Sequence, residues 1–142
     1  MCGIMGYTGN RPAKNIIYSG LKRVEYRGYD SAGISILDNK VHTTRAVGDT
    51  SNLDLKLLPS KPTWGIGHTR WATHGKPSVD NAHPHTFGKI TLVHNGIIEN
   101  YQELKDQIDS SKLHSQTDSE VLAAYIALFY TKTKDLLDGT QQ

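Results

Sequence analysis

The first part of the chain shows an alternating pattern of apolar and polar residues and then a helical one. Cys2 to Thr8 alternates loosely, which predicts a strand that starts at the cysteine. Asn10 is expected to cap the helix that follows, because Pro12 then falls in the first turn, where a missing N–H costs little. Apolar side chains follow at helical spacing, at Ala13, Ile16, Ile17, Leu21 and Val24.

The middle of the chain predicts strands that are separated by polar loops. Glu25 to Ser31 (EYRGYDS) is polar and contains a glycine, so a loop is expected there. Gly33 to Leu37 and Val41 to Val47 are predicted to be two strands, joined by the turn Asp38-Asn39-Lys40. Residues 49–62 are expected to form a loop with at most one helical turn.

Two more strands are expected on either side of a long irregular segment, at Trp64 to Thr69 and at Ile90 to His94. Leu92 and Val93 are both apolar and point to opposite faces, so the second strand is expected to be covered on both sides. Trp71 to Phe87, between the strands, is rich in His and Pro and has little periodicity. A loop of that length in a compact domain is usually functional or disordered.

The last part of the chain predicts two helices that begin with capping boxes. Asn100 and Glu103 are expected to open a helix that extends to about Ile108. Thr117 and Glu120 form a second pair of the same kind. Apolar residues follow this pair at Val121, Leu122, Tyr125, Ile126, Leu128 and Phe129.

Composition and charge narrow the class of protein. The 142 residues suffice for one domain, and the net charge of +2 comes without a basic run, so no nucleic-acid partner is expected. No apolar stretch approaches the roughly 18 residues that a membrane span needs, so no membrane association is expected. One cysteine rules out an internal disulfide and fits a reducing compartment. We therefore expect a cytoplasmic protein that acts on a small molecule.

Cys2 is a candidate nucleophile because of its position. Removal of Met1 would place the thiol and a free α-amine on one residue. Such an amine is partly unprotonated near neutral pH and can accept a proton, while a nearby positive charge favours the thiolate. The alternative is a buried or incidental cysteine, and position alone does not separate the two.

Other polar residues could serve a thiolate that attacks an amide. Asn95 and Gly96 could donate a side-chain amide and a backbone N–H to an oxyanion, although Asn-Gly is also the commonest short turn signal. Arg70 could grip an α-carboxylate with two hydrogen bonds, or be an exposed surface arginine. Asp118 could bind an ammonium group, or merely cap its helix.

The histidines raise the possibility of a metal site. His68, His74, His83 and His85 form a tempting set, and imidazole suits zinc. No HExxH motif or spaced carboxylate accompanies them, and Pro84 restricts the convergence of two of them. We therefore expect neither a metal nor another cofactor.

Four segments occur in order along the chain: Cys2-Gly3-Ile4, EYRGYDSAG (25–33), HTRWATHG (68–75) and NGIIEN (95–100). Together they resemble the glutaminase domain of glucosamine-6-phosphate synthase, the isomerising glutamine–fructose-6-phosphate aminotransferase. The resemblance extends from Cys2 to about Phe129. The second and third segments are specific to this family, since the related phosphoribosylpyrophosphate amidotransferases read more like QHRGQESAG in the second.

The resemblance implies a fold and a reaction. The fold would be α+β, the four-layer αββα sandwich of N-terminal-nucleophile hydrolases, truncated here at its C-terminal end. After loss of Met1, Cys2 would attack the side-chain amide of L-glutamine, while Asn95 and Gly96 hold the oxyanion. Arg70 would bind the α-carboxylate of glutamine and Asp118 its α-amine. The remaining pocket residues implied by the resemblance are Trp71, in a loop that closes over glutamine, Thr73, His74 and His83.

The resemblance also implies what this chain contains. Residues 1–142 would be the N-terminal part of a type-2 glutamine amidotransferase domain, without the sugar isomerase domains that bind fructose 6-phosphate. Only the glutaminase half-reaction is then expected here, whereas the full-length enzyme, expected to be a homodimer, would form glucosamine 6-phosphate. Two alternatives stay open: a domain that serves another acceptor, and an inactive glutamine-binding or regulatory remnant.

Overall fold

The computed structural model describes residues 1–72 and 75–136, which form layers of sheet and helix. The strands are β1 (Gly3–Thr8), β2 (Ser31–Leu37), β3 (Val41–Val47), β4 (Trp64–Arg70), β5 (His85–Phe87) and β6 (Ile90–Leu92). The helices are α1 (Ala13–Val24), α2 (Tyr101–Lys105) and α3 (Asp118–Thr133). The expected strands at the N-terminus and in the β2–β3 hairpin are therefore present, with β2 starting two residues earlier than predicted.

The main sheet is antiparallel, with strand order β1-β4-β2-β3. β4 pairs with β1 on one side and β2 on the other, so that Gly3 lies opposite Thr69 and Ser31 opposite Arg70. This register brings the start of β1 to the end of β4. Cys2 therefore lies beside the residues that follow β4, although they are distant in sequence.

The core lies between α1 and one face of the main sheet. Ile17 and Leu21 of α1 are fully buried against the sheet, together with Ile34 of β2. Glycines of β4 make this close approach possible, because a Cβ at Gly65 or Gly67 would lie 2.7 or 2.6 Å from the side chain of Ile17. The opposite face of β4 carries the polar side chains of His68 and Arg70 toward the C-terminal end of the strand.

The start of α1 differs from the expectation. Pro12, whose backbone is extended, precedes the first helical residue, so the predicted cap at Asn10 is wrong. The N–H of Ala13 instead donates to the carbonyl of Pro62 at 2.9 Å. A distant loop therefore satisfies a donor that the sequence pattern had assigned to a local cap.

The second layer is a two-stranded hairpin in which His85 pairs with Leu92. The predicted strand Ile90 to His94 ends early, at Leu92, and the residues of β6 are partly exposed, so the expectation of cover on both sides is wrong. Helix α3 packs against this hairpin, while α1 packs against the main sheet. The structure thus has one helix on the main sheet and another on the hairpin, in agreement with the expected αββα fold class.

The capping boxes are confirmed only in part. The hydroxyl of Thr117 accepts from the N–H of Glu120 at 3.3 Å, which caps α3 as expected. The carboxylate of Glu120, however, accepts from the N–H groups of His114 and Ser115 and not from Thr117. Asn100 precedes α2, but its side chain makes no capping hydrogen bond within the described residues.

The loop at 49–62 contains more helical structure than predicted. It has two short 3-10 turns, Thr50–Asn52 and Leu55–Leu57, so the expectation of at most one helical turn is wrong. Each turn follows an aspartate whose carboxylate accepts a backbone N–H two residues later. Within the ranges that the structure describes, no helix has the length and apolar character needed to cross a membrane.

Candidate active site

A cavity of about 350 Å³ opens where the start of β1 meets the end of β4, next to the start of α3. It brings together most of the side chains predicted from sequence: Cys2, Arg70, Trp71, His83, Asn95, Gly96 and Asp118. Met1, His68, His94, Ile97, Thr117 and Ser119 complete its wall. The predicted residues Thr73 and His74 lie outside the described residues.

Cys2 is partly exposed at this cavity, which contradicts the alternative of a buried cysteine. The N–H of Trp71 donates to its sulfur at 3.3 Å, and the sulfur lies 3.7 Å from the carbonyl oxygen of the same residue. The carbonyl of Cys2 accepts from Nε of Arg27 at 3.3 Å. The thiol is therefore accessible from the cavity, while the hydrogen bond from Arg27 holds the backbone of Cys2 in place.

The segment 25–33 braces the backbone next to Cys2. A Cβ at Gly28 would lie 2.7 Å from the carbonyl carbon of Arg70 and 2.7 Å from the nitrogen of Trp71, so only glycine fits there without displacement. The N–H of Asp30 donates to the carbonyl of Arg70 at 3.0 Å, and its carboxylate accepts from the N–H of Ala72 at 2.8 Å. The conformation of residues 70–72 thus depends on this polar loop.

Arg70 is almost completely buried, with 4 % of its surface exposed, so the alternative of an exposed surface arginine is wrong. Its Nη2 donates to the carbonyl of Gly75 at 3.3 Å. Burial lowers the pKa of the guanidinium, and the nearby Cys2, Asp30 and Asp118 oppose that shift. The arginine therefore brings a positive charge to a wall that solvent reaches poorly.

Asn95 and Gly96 do not form the tight turn that their sequence suggests. Such a turn requires left-handed φ values, which the described residues adopt at Lys134 and at three other glycines, and not at this pair. Nδ2 of Asn95 lies 3.5 Å from the carbonyl oxygen of Cys2. A Cβ at Gly96 would lie 2.8 Å from Nε2 of His94. The simple-turn alternative is therefore wrong, and the pair lies beside the candidate nucleophile.

Asp118 connects α3 to the segment that follows Asn95 and Gly96. Its Oδ2 accepts from the N–H of Ile98 at 2.9 Å, and its Oδ1 accepts from the hydroxyl of Ser119 at 3.3 Å. Thr117, and not Asp118, caps the helix. Asp118 lies in the first turn of α3, as the capping alternative expects, and it also places a negative charge on the cavity wall that Arg70 lines with a positive one.

The rings of His68, His83 and His85 pack against one another, the first two stacked and the last two edge to face. The ring centroids of His68 and His83 are 4.3 Å apart, and those of His83 and His85 are 4.6 Å apart. Burial lowers the pKa of His68 and of His85 to about 4, and it lowers that of His83 as well. The rings are therefore neutral at pH 7. Among the described residues, no group of three or more potential ligands is arranged to hold a metal ion.

His94 and Ser119 also line the cavity, although their sequence positions predicted no role in the site. Nδ1 of His94 lies 3.1 Å from the hydroxyl of Ser119, which in turn donates to Asp118. The available signal was the position of His94 directly before Asn95 and Gly96. A histidine in that position does not reveal its partner, because Ser119 lies 25 residues away in sequence.

Known proteins share much of the sequence of this chain. Residues 54–140 match the model of the glutamine amidotransferase domain family. The whole chain is 49 % identical to a glutamine–fructose-6-phosphate aminotransferase (isomerising) of Acinetobacter baylyi, and covers 24 % of that protein. A protein of the same name from Methanosarcina acetivorans is 53 % identical over 87 % of this chain, which covers 21 % of the relative. The chain thus spans about a quarter of the length of these curated relatives.

A solved structure of an amidotransferase has a similar fold. The glutamine phosphoribosylpyrophosphate amidotransferase from B. subtilis, complexed with ADP and GMP, superposes with a TM-score of 0.78 at 28 % identity. The match covers 98 % of this chain and 31 % of that one. Because the family model covers more than half of the residues, and sequence and structure agree, the chain belongs to the glutamine amidotransferase domain family.

Proposed function

We propose that this domain hydrolyses the side-chain amide of glutamine to glutamate and ammonia, with Cys2 as the nucleophile. The observation that carries the proposal is the convergence of a reachable thiol, a cation, a carboxylate and amide donors on one cavity. These groups come from segments that are far apart in sequence. A structural role for any one of them would not require the others to share a wall.

Recognition of glutamine is proposed to depend on the two charged groups of the cavity. Arg70 would bind the α-carboxylate, because a planar guanidinium can make two parallel hydrogen bonds to it. Asp118 would bind the α-ammonium group. Trp71 lines the same cavity and is proposed to contact the substrate, together with Thr73 and His74. The buried His83 is proposed to act through the backbone of His94, whose N–H donates to it.

The reaction is proposed to proceed through a thioester. The thiolate of Cys2 attacks the amide carbon, and the electron pair of the C=O bond moves to the oxygen. Nδ2–H of Asn95 and N–H of Gly96 would donate to this oxyanion, which is the role such donors have in acyl transfer. The intermediate collapses with protonation and loss of ammonia, and water then hydrolyses the thioester to glutamate and the free thiol.

The base in this scheme is the α-amine of Cys2. While Met1 is attached, the nitrogen of Cys2 belongs to an amide and cannot accept a proton. Removal of Met1 is therefore part of the proposal. Asn95 lies close to the same backbone, at its contact with the carbonyl oxygen of Cys2, so the base and the oxyanion donors would act on one substrate carbon from neighbouring positions.

We propose fructose 6-phosphate as the acceptor of the ammonia in the complete enzyme. Relatives at 49 % and 53 % identity are named for that reaction, whereas the phosphoribosylpyrophosphate amidotransferase structure is 28 % identical. Binding of the sugar is proposed for the part of such an enzyme that this chain does not match. A homodimeric complete enzyme and a cytoplasmic location stay predictions, to be tested by light scattering and cell fractionation.

The test is release of glutamate and ammonia from glutamine by the purified chain. Mass spectrometry of the same sample determines whether Met1 is present, and Cys2→Ala serves as the blank. Release by the protein that lacks Met1, and not by Cys2→Ala, is the expected result. Glutamine binding without release by that protein would overturn the proposal and favour a glutamine-binding remnant.

A further inference from the structure

Two buried histidine rings hold the backbone of His94, which directly precedes the pair Asn95 and Gly96. The N–H of His94 donates to Nδ1 of His83 at 3.3 Å, and its carbonyl lies 3.1 Å from Nε2 of His68. The backbone N–H and the backbone carbonyl of His94 are thus both hydrogen-bonded to histidine side chains. We call His68 and His83 the histidine clamp.

The partners of the clamp fix the protons on both rings. A carbonyl can only accept, so Nε2 of His68 carries a proton and donates it to His94. A backbone N–H can only donate, so Nδ1 of His83 must be unprotonated. Nδ1 of His68 is buried and has no hydrogen-bond partner among the described residues, which fits an unprotonated nitrogen. Both rings are therefore neutral and carry the proton on Nε2.

The environment favours these neutral forms. The rings are 0 % and 4 % exposed, and they stack at 4.3 Å with an angle of 16° between their planes. A charge on either ring would lie without water beside the other and would face Arg70, His85 and His94. Burial and these neighbours all lower the pKa of His83.

The fold holds both rings from several sides. His68 lies in β4 opposite Gly33 of β2, and a Cβ at Gly33 would overlap the carbonyl oxygen of His83. The last glycine of the EYRGYDSAG segment therefore lets the loop approach the sheet. On the other side, His85 packs edge-on against His83, and Nε2 of His85 lies 2.9 Å from the hydroxyl of Thr117 at the start of α3.

We propose that His68 and His83 are positioning residues that fix the Asn95 and Gly96 donors through the backbone of His94. This inference rests on the proposed function, because it assigns the clamp a task in the oxyanion step. A displacement of about 1 Å at a reacting group can cost roughly 100-fold in rate, so small movements of His94 matter. Two of the four histidines that resembled a metal-binding set thus position the backbone of His94.

Paired substitutions separate the hydrogen bonds from the bulk of the rings. His83→Asn keeps an acceptor near the position of Nδ1, whereas His83→Phe keeps a ring without one. His68→Gln keeps a donor near Nε2, whereas His68→Leu removes it. We expect the Phe and Leu variants to lose about 10- to 100-fold in kcat with KM changed far less, and the Asn and Gln variants to recover most of it. Equal losses within each pair would overturn the proposal.

Two measurements test the clamp without glutamine hydrolysis. Nitrogen NMR of the parent protein is expected to show a protonated Nε2 and an unprotonated Nδ1 on both rings between pH 7 and pH 5. Hydrogen exchange of the His94 amide is expected to be faster in His83→Phe than in His83→Asn. A parent protein without glutaminase activity would overturn the proposed function alone, whereas the opposite tautomer, or equal exchange in the two variants, would overturn the clamp.

Discussion

The backbone N–H of Trp71 donates a hydrogen bond to the sulfur of Cys2 at 3.3 Å, although 69 residues separate the two in sequence. A donor in this position stabilises a thiolate more than a thiol, since the negative charge falls on the accepting atom. The bond comes from the backbone, so it depends on the path of the chain after β4. Residues that hold this path therefore influence the candidate nucleophile without touching the substrate.

We expect Cys2→Ser to lose nearly all glutamine hydrolysis while glutamine still binds. The thiol supplies the attack, whereas recognition is proposed to depend on Arg70 and Asp118. Calorimetry with glutamine and an ammonia assay on the same preparation make the comparison. Turnover near that of the parent protein would show that Cys2 is not the nucleophile.

Arg70→Lys is expected to weaken glutamine binding by about 2 to 3 kcal/mol, the range of a hydrogen bond to a charged group. An ammonium cannot reproduce the two-pronged grip of a guanidinium on a carboxylate. The exposed Arg11 offers a matched control, and Arg11→Lys should leave the affinity unchanged. An unchanged Kd for Arg70→Lys would mean that this residue does not hold the carboxylate.

Asn95→Ala is expected to lower kcat roughly 100- to 1000-fold with little change in KM, the usual cost of removing one oxyanion donor. Asn95→Asp has nearly the same shape but presents oxygens in place of the N–H, so its loss should be at least as large. Asn39→Ala, in the exposed turn between β2 and β3, is the control. Parental turnover in Asn95→Asp would exclude a donor role.

Gly28→Ala is expected to destabilise the fold by about 1 to 3 kcal/mol, as other insertions into packed sites do. The added methyl would lie 2.7 Å from backbone atoms of Arg70 and Trp71, which must then move and weaken the contact to Cys2. Gly6→Ala is a matched control, because its Cβ would meet no atom within 4 Å. Urea unfolding of both variants measures the difference, and equal stability would show that the loop is not a brace.

The fold is expected to lose stability as the pH falls from about 6.5 toward 4. In the unfolded chain, His68 and His85 titrate near pH 6.5, whereas burial in the fold lowers the pKa of each to about 4. Between these pH values the unfolded state binds more protons than the folded state. Each ring therefore lowers the free energy of unfolding by about 1.4 kcal/mol for every unit by which the pH falls. Well above pH 6.5 both rings are neutral in the folded and the unfolded state, so they add no further pH dependence.

Urea unfolding at several pH values tests this dependence. His68→Gln removes one of the buried rings and should make the slope less steep in that range. A parent protein with constant stability from pH 7 to pH 4.5 would contradict the burial of neutral histidines. The same slope in the parent protein and in His68→Gln would contradict it for His68 alone.

Most residues of the candidate site were predictable because they lie in short, recognisable sequence motifs. Cys2, Arg70, Asn95, Gly96 and Asp118 were selected for their chemistry and their neighbours, and all five line one cavity. Their proposed roles still depend on experiment. The alternatives of a buried Cys2, an exposed Arg70 and a simple Asn-Gly turn could be rejected only in three dimensions, because burial and backbone conformation decide them.

The contacts of the histidine side chains could not be predicted from the sequence. By residue type, His68, His74, His83 and His85 resembled a zinc-binding set, and the lack of a known ligand spacing argued against a metal. In the fold the rings of His83 and His85 pack edge to face, and His83 accepts from the backbone N–H of His94. Whether an imidazole binds metal, donates or accepts depends on the groups that face it, and those groups lie on other elements.

The sequence by itself determined the local elements: β1, the β2–β3 hairpin, the long helix α3 with its Thr117 cap, and the residue types of the reaction. Periodicity, turn chemistry and capping act over a few residues, so they can be read along the chain. Tertiary structure decided which residues of distant segments contact one another. The register of β1 and β4 joins Cys2 to Trp71, the carbonyl of Pro62 replaces the expected Asn10 cap, and buried rings hold His94. These partners are set by packing between distant segments, because a buried donor or acceptor takes whichever group the fold brings to it.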